Sequence, residues 1–214
     1  MKQNRTFSVI GITGGAGCGK TTVIRQLEDC LPARFLHCDE IGHELMQPGK
    51  ATYLALVQEY GDGILEQGRI SRERLAKIAY ATEEAYARLN AITHPRIRTE
   101  VKRRLQQLSE QQFDGIVFLE AALLLESGFY LLCDEVWYVH APMADRIRRL
   151  KEDRGYSEEK IAAVLKRQLS EQEFEKRCDF VIENPDGGHL PMETIRRRLK
   201  CDWKPDTKCD IVDE

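Results

Sequence analysis

An α/β fold is what this sequence predicts: a doubly wound parallel sheet of five strands with a helical insert. Three observations carry the prediction. Five short apolar runs are separated by stretches of helical length, the pattern of parallel strands joined by crossover helices. A glycine-rich turn ending in Lys20-Thr21 links the first run to the first helix. A long helical interval then separates the second run from the third. At 214 residues and a net charge of −3, the chain is sized for one large domain with a proper core.

In order along the chain, Phe7-Ser8-Val9-Ile10-Gly11-Ile12 is the first strand. Lys2 and Arg5 precede it, but the run passes straight into the glycine-rich turn without a cleavage pattern, so it is not a signal peptide. Thr21 to Cys30 is expected to be helical and to stop at Leu31-Pro32, because proline cannot continue the hydrogen-bond ladder. Arg34-Phe35-Leu36-His37-Cys38 is a second strand, with Asp39 at its carboxyl end. Residues 40–108 read as helices broken at Pro48-Gly49, Gly61-Asp62-Gly63 and Gly68. Tyr53, Leu54, Leu56 and Val57 form one apolar face there, continued by Leu75, Ile78, Ala79, Tyr86 and Leu89. Such an interval between two strands reads as an acceptor-binding insert. Ile116 to Glu120, Glu135 to Val139 and Phe180 to Ile182 supply the remaining strands, and residues 204–214 are expected to fray.

The segment Gly14-Gly15-Ala16-Gly17-Cys18-Gly19-Lys20-Thr21 fits G-x-x-x-x-G-K-S/T between a strand and a helix. Glycines let the backbone turn several N–H groups inward around a phosphate, and the positive end of the next helix adds to that field. Gly14 through Thr22 are therefore the expected nucleoside-triphosphate-binding residues. Lys20 would reach the β- and γ-phosphates, and the Thr21 hydroxyl would be a Mg2+ ligand.

The remaining composition excludes several classes. A net charge of −3 does not match nucleic acid, and no apolar run reaches the length of a membrane span. Seven cysteines at irregular spacing, with no C-x-x-C pair, read as reduced thiols in a cytoplasmic protein. His37, Cys38 and His43 match no common zinc spacing. No asparagine precedes a lysine, so the guanine signature N-K-x-D is missing and a GTPase is disfavoured. Glu120, after an apolar strand, can be read as the carboxylate of a motor ATPase, but the chain lacks a motor's further domains. A small kinase remains. For Asp39 two readings stand side by side: a base that takes a proton from the acceptor hydroxyl and holds a Mg2+-bound water, or the N-cap of a helix starting at Glu40.

Six ordered segments make the chain resemble the dephospho-coenzyme A kinases, from about Val9 to Gly187. Gly11-Ile12-Thr13-Gly14 through Thr21 matches the family's G-x-T-G-G-x-G-x-G-K-S/T. His37-Cys38-Asp39-Glu40-Ile41-Gly42 is similar to its D-A-D motif, with His37 replacing the first aspartate. Gly68 to Arg72 is similar to G-x-L/I-D-R, with Ser71 for the aspartate, and Asn90 to Pro95 to the N-x-I/L-x-H-P element. Ala122 to Glu126 resembles P-L-L-F/V-E without the proline, and Cys178 to Asn184 matches A-D-x-V-I-x-N.

The resemblance implies a nucleoside-monophosphate-kinase-like P-loop fold and transfer of phosphate from Mg-ATP to the ribose 3′-hydroxyl of dephospho-CoA. It implies an insert over residues 40–108 and a lid over residues 143–176. Asp39 takes the catalytic-base position, with Lys20 and Arg148 beside the phosphates. Arg154 and Asn184 join the ATP site, with Arg149 as the alternative to its neighbours if the register slips by one. Arg72, Lys77, His94 and Glu126 become acceptor-binding candidates. Plainer readings remain for some of them: a solvated helix face for Arg72, Lys77 and the lid arginines, and a helix end at His94 before Pro95. Arg196 to Arg198 read as surface. Two alternatives stay open: a kinase of another small molecule, and an ATP-binding regulatory protein without turnover.

Overall fold

The structure, a computed structural model, describes residues 5–185 and 190–199. The first apolar run is β1 (Phe7–Thr13), which leads through the glycine-rich turn into α1 (Lys20–Cys30) and β2 (Arg34–His37). Four helices follow: α2 (Cys38–Leu45), α3 (Ala51–Tyr60), α4 (Arg72–Ala79) and α5 (Glu83–Glu110). Between α3 and α4 lies a hairpin of β3 (Leu65–Glu66) and β4 (Arg69–Ile70), where helical periodicity had been expected. Gln67 and Gly68 both adopt positive φ at its tip, so the local turn overrides the helical pattern. The chain continues through β5 (Gly115–Glu120), β6 (Glu135–His140), α6 (Met143–Glu152), α7 (Glu158–Lys166), α8 (Glu171–Arg177), β7 (Phe180–Glu183) and α9 (Met192–Leu199).

Five of the strands form one parallel sheet ordered β2-β5-β1-β6-β7. Strands joined by helical crossovers and covered on both faces are apolar on both sides, and β1 shows this. Val9 packs on one face with Ile41, Val101, Val117, Leu119, Tyr138 and Phe174. Ile10 and Ile12 pack on the other with Val23, Leu27, Phe118, Trp137 and Val139. A separate cluster of Leu56, Ile64, Leu75 and Ala79 joins α3, α4 and the hairpin. The expected apolar face is narrower than the pattern suggested: Leu54 and Ile78 are exposed.

Two local expectations change. The helix after β2 starts at Cys38, so His37 stands at the cap position and Asp39 in the first turn; the N-cap reading of Asp39 does not hold. Helix α5 runs through His94-Pro95 without ending. The Thr93 hydroxyl and an Arg96 guanidinium N–H donate to the Leu89 and Ile92 carbonyls around the proline. The cysteines also differ from expectation. Cys18, Cys38, Cys133 and Cys178 are free thiols, whereas Cys30 is disulfide-bonded, a pairing that spacing alone cannot reveal. The tail at 204–214 lies outside the described residues.

Candidate functional site

Parallel register lines up the carboxyl ends of the central strands, where open α/β sheets bind ligands. Glu120 of β5 stands level with Ile12 of β1 on one side and His37 of β2 on the other. Beyond this edge lies a cavity of about 950 Å³, lined by Gly14 through Thr22 with Glu28, His37, Asp39 and Glu120.

The glycines there are required twice over. Gly17 and Gly19 both sit at φ 79°, a conformation that side chains rarely adopt. A Cβ on Gly15 would lie 2.2 Å from an Arg146 nitrogen, and one on Gly17 2.5 Å from the Arg146 carbonyl oxygen. Three successive loop carbonyls accept hydrogen bonds from side chains far along the chain. Arg146 Nε donates to Ala16 O at 3.0 Å, Arg149 Nη1 to Gly17 O at 3.3 Å and Asn184 Nδ2 to Cys18 O at 2.8 Å. Two loop amides are already engaged: the Ala16 N–H donates to Gln168 Oε1 at 2.9 Å and the Cys18 N–H to Gly15 O at 3.1 Å. The first turn of α1 carries no acidic residue, so the positive end of the helix is uncompensated there.

Lys20, the first residue of α1, pairs with Glu120; both side chains are almost wholly buried. Burial lowers the Lys20 pKa, and the Asp39 charge opposes that shift. Glu120 Oε2 also lies 3.6 Å from His37 Nδ1, whose Nε2 is 3.0 Å from Glu28 Oε1. The Cys18 thiol is pushed up by burial and so stays protonated, which makes it packing rather than a nucleophile.

A second cavity of about 600 Å³ adjoins the first, under α2, α4 and α5, lined mainly by apolar groups. Asp39, Ala122 and Arg154 line both cavities and so mark their junction. Arg72 and His94 line the second cavity. His94 packs its ring 5.9 Å from that of Phe129 and is held neutral by burial and by Arg98. Arg72 Nη2 lies 2.6 Å from His43 Nδ1. An arginine only donates, so Nδ1 must be the acceptor and the ring neutral. Burial first, and the Arg72 charge second, lower the His43 pKa to the same effect.

Three sequence candidates fall outside these cavities. Arg148 is half exposed and pairs with Glu152 one turn on. The helix turns its neighbours Arg146 and Arg149, three apart and on one face, toward the loop instead. Lys77 is exposed near the end of α4, on a different face from Arg72. Glu126 is turned outward by the burial of Leu124 and Leu125 just before it. In exchange, the structure brings in Glu28, Glu120, His43, Arg146 and Gln168. Glu120 had a signal, an acid ending an apolar strand. Arg146 was marked only as one of several arginines on the expected lid helix, and its burial, beside a partly exposed Ile147, had no signal. Among the described residues no cluster of three acidic, histidine or cysteine side chains forms a metal cage, and no helix is long and apolar enough to cross a membrane.

A family model described as dephospho-CoA kinase matches residues 8–189. A dephospho-CoA kinase of Carboxydothermus hydrogenoformans is 34% identical over 198 residues, covering 92% of this chain and 95% of its own. One from Corynebacterium diphtheriae is 37% identical over 192 residues, covering 89% and 94%. In shape, a Thermus thermophilus protein of known crystal structure matches with a TM-score of 0.73 at 30% identity, covering 92% of this chain and 96% of that one.

Proposed function

The chain belongs to the dephospho-CoA kinase family, and on that premise we propose that its cleft transfers the γ-phosphoryl group of ATP to the ribose 3′-hydroxyl of dephospho-CoA, giving coenzyme A and ADP. One observation carries the reading: Asp39, Ala122 and Arg154 line both the phosphate-loop cavity and the apolar cavity beside it. Phosphoryl transfer needs donor and acceptor in line, with little covalent chemistry from the protein, and a shared boundary between two cavities suits that need.

In this reading the loop amides and the start of α1 hold the triphosphate. Lys20 exchanges Glu120 for phosphate oxygens and stabilises the charge on the transferring group. Asp39 accepts the proton of the acceptor hydroxyl as the oxygen attacks. Arg154 closes over the junction, with Arg149 beside the loop, and their closure excludes water. Residues 143–176 act as the lid and residues 40–108 as the acceptor-binding insert. Arg72 and His94 contact the acceptor, with Arg72 set against its diphosphate.

Magnesium fits the donor set. The Thr21 hydroxyl and the Asp39 carboxylate line one cavity, and Mg2+ is commonly held by one or two protein oxygens together with phosphates and water. When bound it neutralises charge on the phosphate oxygens. A cytoplasmic location belongs to the same proposal, supported by the free thiols Cys18, Cys38, Cys133 and Cys178 and opposed by the disulfide at Cys30.

The test is ADP release measured with dephospho-CoA, adenosine, pantetheine and shikimate side by side. Selective turnover of dephospho-CoA is expected. Turnover of another acceptor alone would point to a different small-molecule kinase, and ATP binding without any turnover to a regulatory protein.

A further inference from the structure

His43 and Arg72 meet across two elements: His43 is one turn beyond Asp39 on α2, and Arg72 opens α4. Their contact of 2.6 Å is the only side-chain hydrogen bond recorded for either among the described residues. The pair lines the acceptor cavity and also a smaller one of about 110 Å³, which continues past it between Gln47, Arg69 and Ile70. The pair therefore stands where the acceptor cavity opens toward a second, basic compartment.

An exposed arginine keeps rotamer freedom, which anion binding must remove. A neutral ring nitrogen that accepts from the guanidinium removes part of that freedom beforehand, without neutralising the charge. A carboxylate in the same place would also orient Arg72 but would compete with the incoming anion. A neutral imidazole orients it and leaves the remaining N–H groups for phosphate oxygens.

We propose that His43 is a positioning residue that fixes Arg72 for the diphosphate of the acceptor, and so helps set acceptor affinity without touching the reacting atoms. The inference rests on the functional reading above. His43→Phe keeps a flat ring of similar size and removes the acceptor nitrogen. His43→Asn places an amide oxygen close to the Nδ1 position and restores it.

The experiment is steady-state kinetics on wild type, His43→Phe, His43→Asn, Arg72→Ala and the double variant His43→Phe/Arg72→Ala, with His43→Leu as a smaller substitute should Phe impair folding. The KM for dephospho-CoA should rise about tenfold in His43→Phe, the size expected for a hydrogen bond to a charged group. The kcat and the KM for ATP should stay within about twofold. His43→Asn should recover most of the loss, and the double variant should match Arg72→Ala alone, because His43 acts through Arg72. Additive losses in the double variant, an unchanged KM in His43→Phe, or a fall confined to kcat would each overturn the inference while wild-type turnover leaves the functional reading intact. A wild type that ignores dephospho-CoA but phosphorylates another acceptor would overturn the functional reading, and this inference with it.

Discussion

Lys20 Nζ and Glu120 Oε1 form an ion pair on the floor of the phosphate cavity, with side chains 13% and 9% exposed. The loop lysine thus has a protein carboxylate as its partner, and phosphate oxygens must compete for it. Breaking a buried pair from one side strands the other charge.

Lys20→Ala should therefore do two separable things. The kcat/KM should fall at least ~10²-fold, or about 2.7 kcal/mol of transition-state stabilisation. Stability should fall by about 3 kcal/mol, because the buried Glu120 loses its lysine partner. Adding Glu120→Gln should restore the melting temperature and none of the activity. Near-normal turnover in a folded Lys20→Ala protein would remove the phosphate loop from the mechanism.

Asp39→Asn tests the proposed base. Asp39 lies in the first turn of α2, where a negative charge contributes about 0.3–1 kcal/mol through the helix dipole. Loss of that charge should shift the melting temperature little. General-base assistance is typically worth ~10²–10⁴-fold, and kcat should drop by that order. Turnover of dephospho-CoA and thermal melting, measured on the same preparation, decide it. Full activity would shift attention to Glu120, the other carboxylate beside Lys20.

The arginines of the proposed lid should divide by position. Arg149 and Arg154 line the phosphate cavity, and replacing either by Ala should lower kcat about tenfold or more. Arg148 pairs with Glu152 on the surface, and such pairs contribute about 0.3–0.5 kcal/mol. Arg148→Ala should keep kcat within about twofold. Equal losses in all three variants would place the whole segment 148–154 over the substrates instead.

Glu100 predicts a feature of acid unfolding. Hydrogen bonds from Arg103 first, with Arg104 also contributing, hold its pKa down from 4.5 to about 2. A depressed carboxylate stabilises the fold above its unfolded pKa and loses that contribution as pH falls through the folded value. The effect is present above about pH 4.5 and disappears toward pH 2. Glu100→Gln should lower stability at pH 7 by about 1–2 kcal/mol and flatten the pH dependence of melting over that window. An unchanged acid limb would mean that the pair contributes nothing net.

Strands, their parallel arrangement and the phosphate loop were legible in the sequence because each rests on local chemistry. Val9 and Ile12 announce a strand covered on both faces, Pro32 ends a helix, and Gly17 and Gly19 supply the positive φ that the loop requires. Asp39 and Arg72 were singled out through short motifs in a fixed order, and both line the second cavity. The β3–β4 hairpin was hidden because two-residue strands carry no period. Arg146, Gln168 and His43 were hidden for another reason: each owes its place to a partner far along the chain. Arg146 reaches Ala16, 130 residues away, and His43 reaches Arg72, 29 residues away. Arg148 and Arg149 are adjacent in sequence, and only the rotation of α6 against the phosphate loop decided which of them faces the cleft. Sequence by itself determined which segments fold and what chemistry they carry, because backbone propensity and periodicity act over a few residues. Tertiary structure alone decided which charges meet, because a side chain's direction depends on the packing of elements that the chain joins only at a distance.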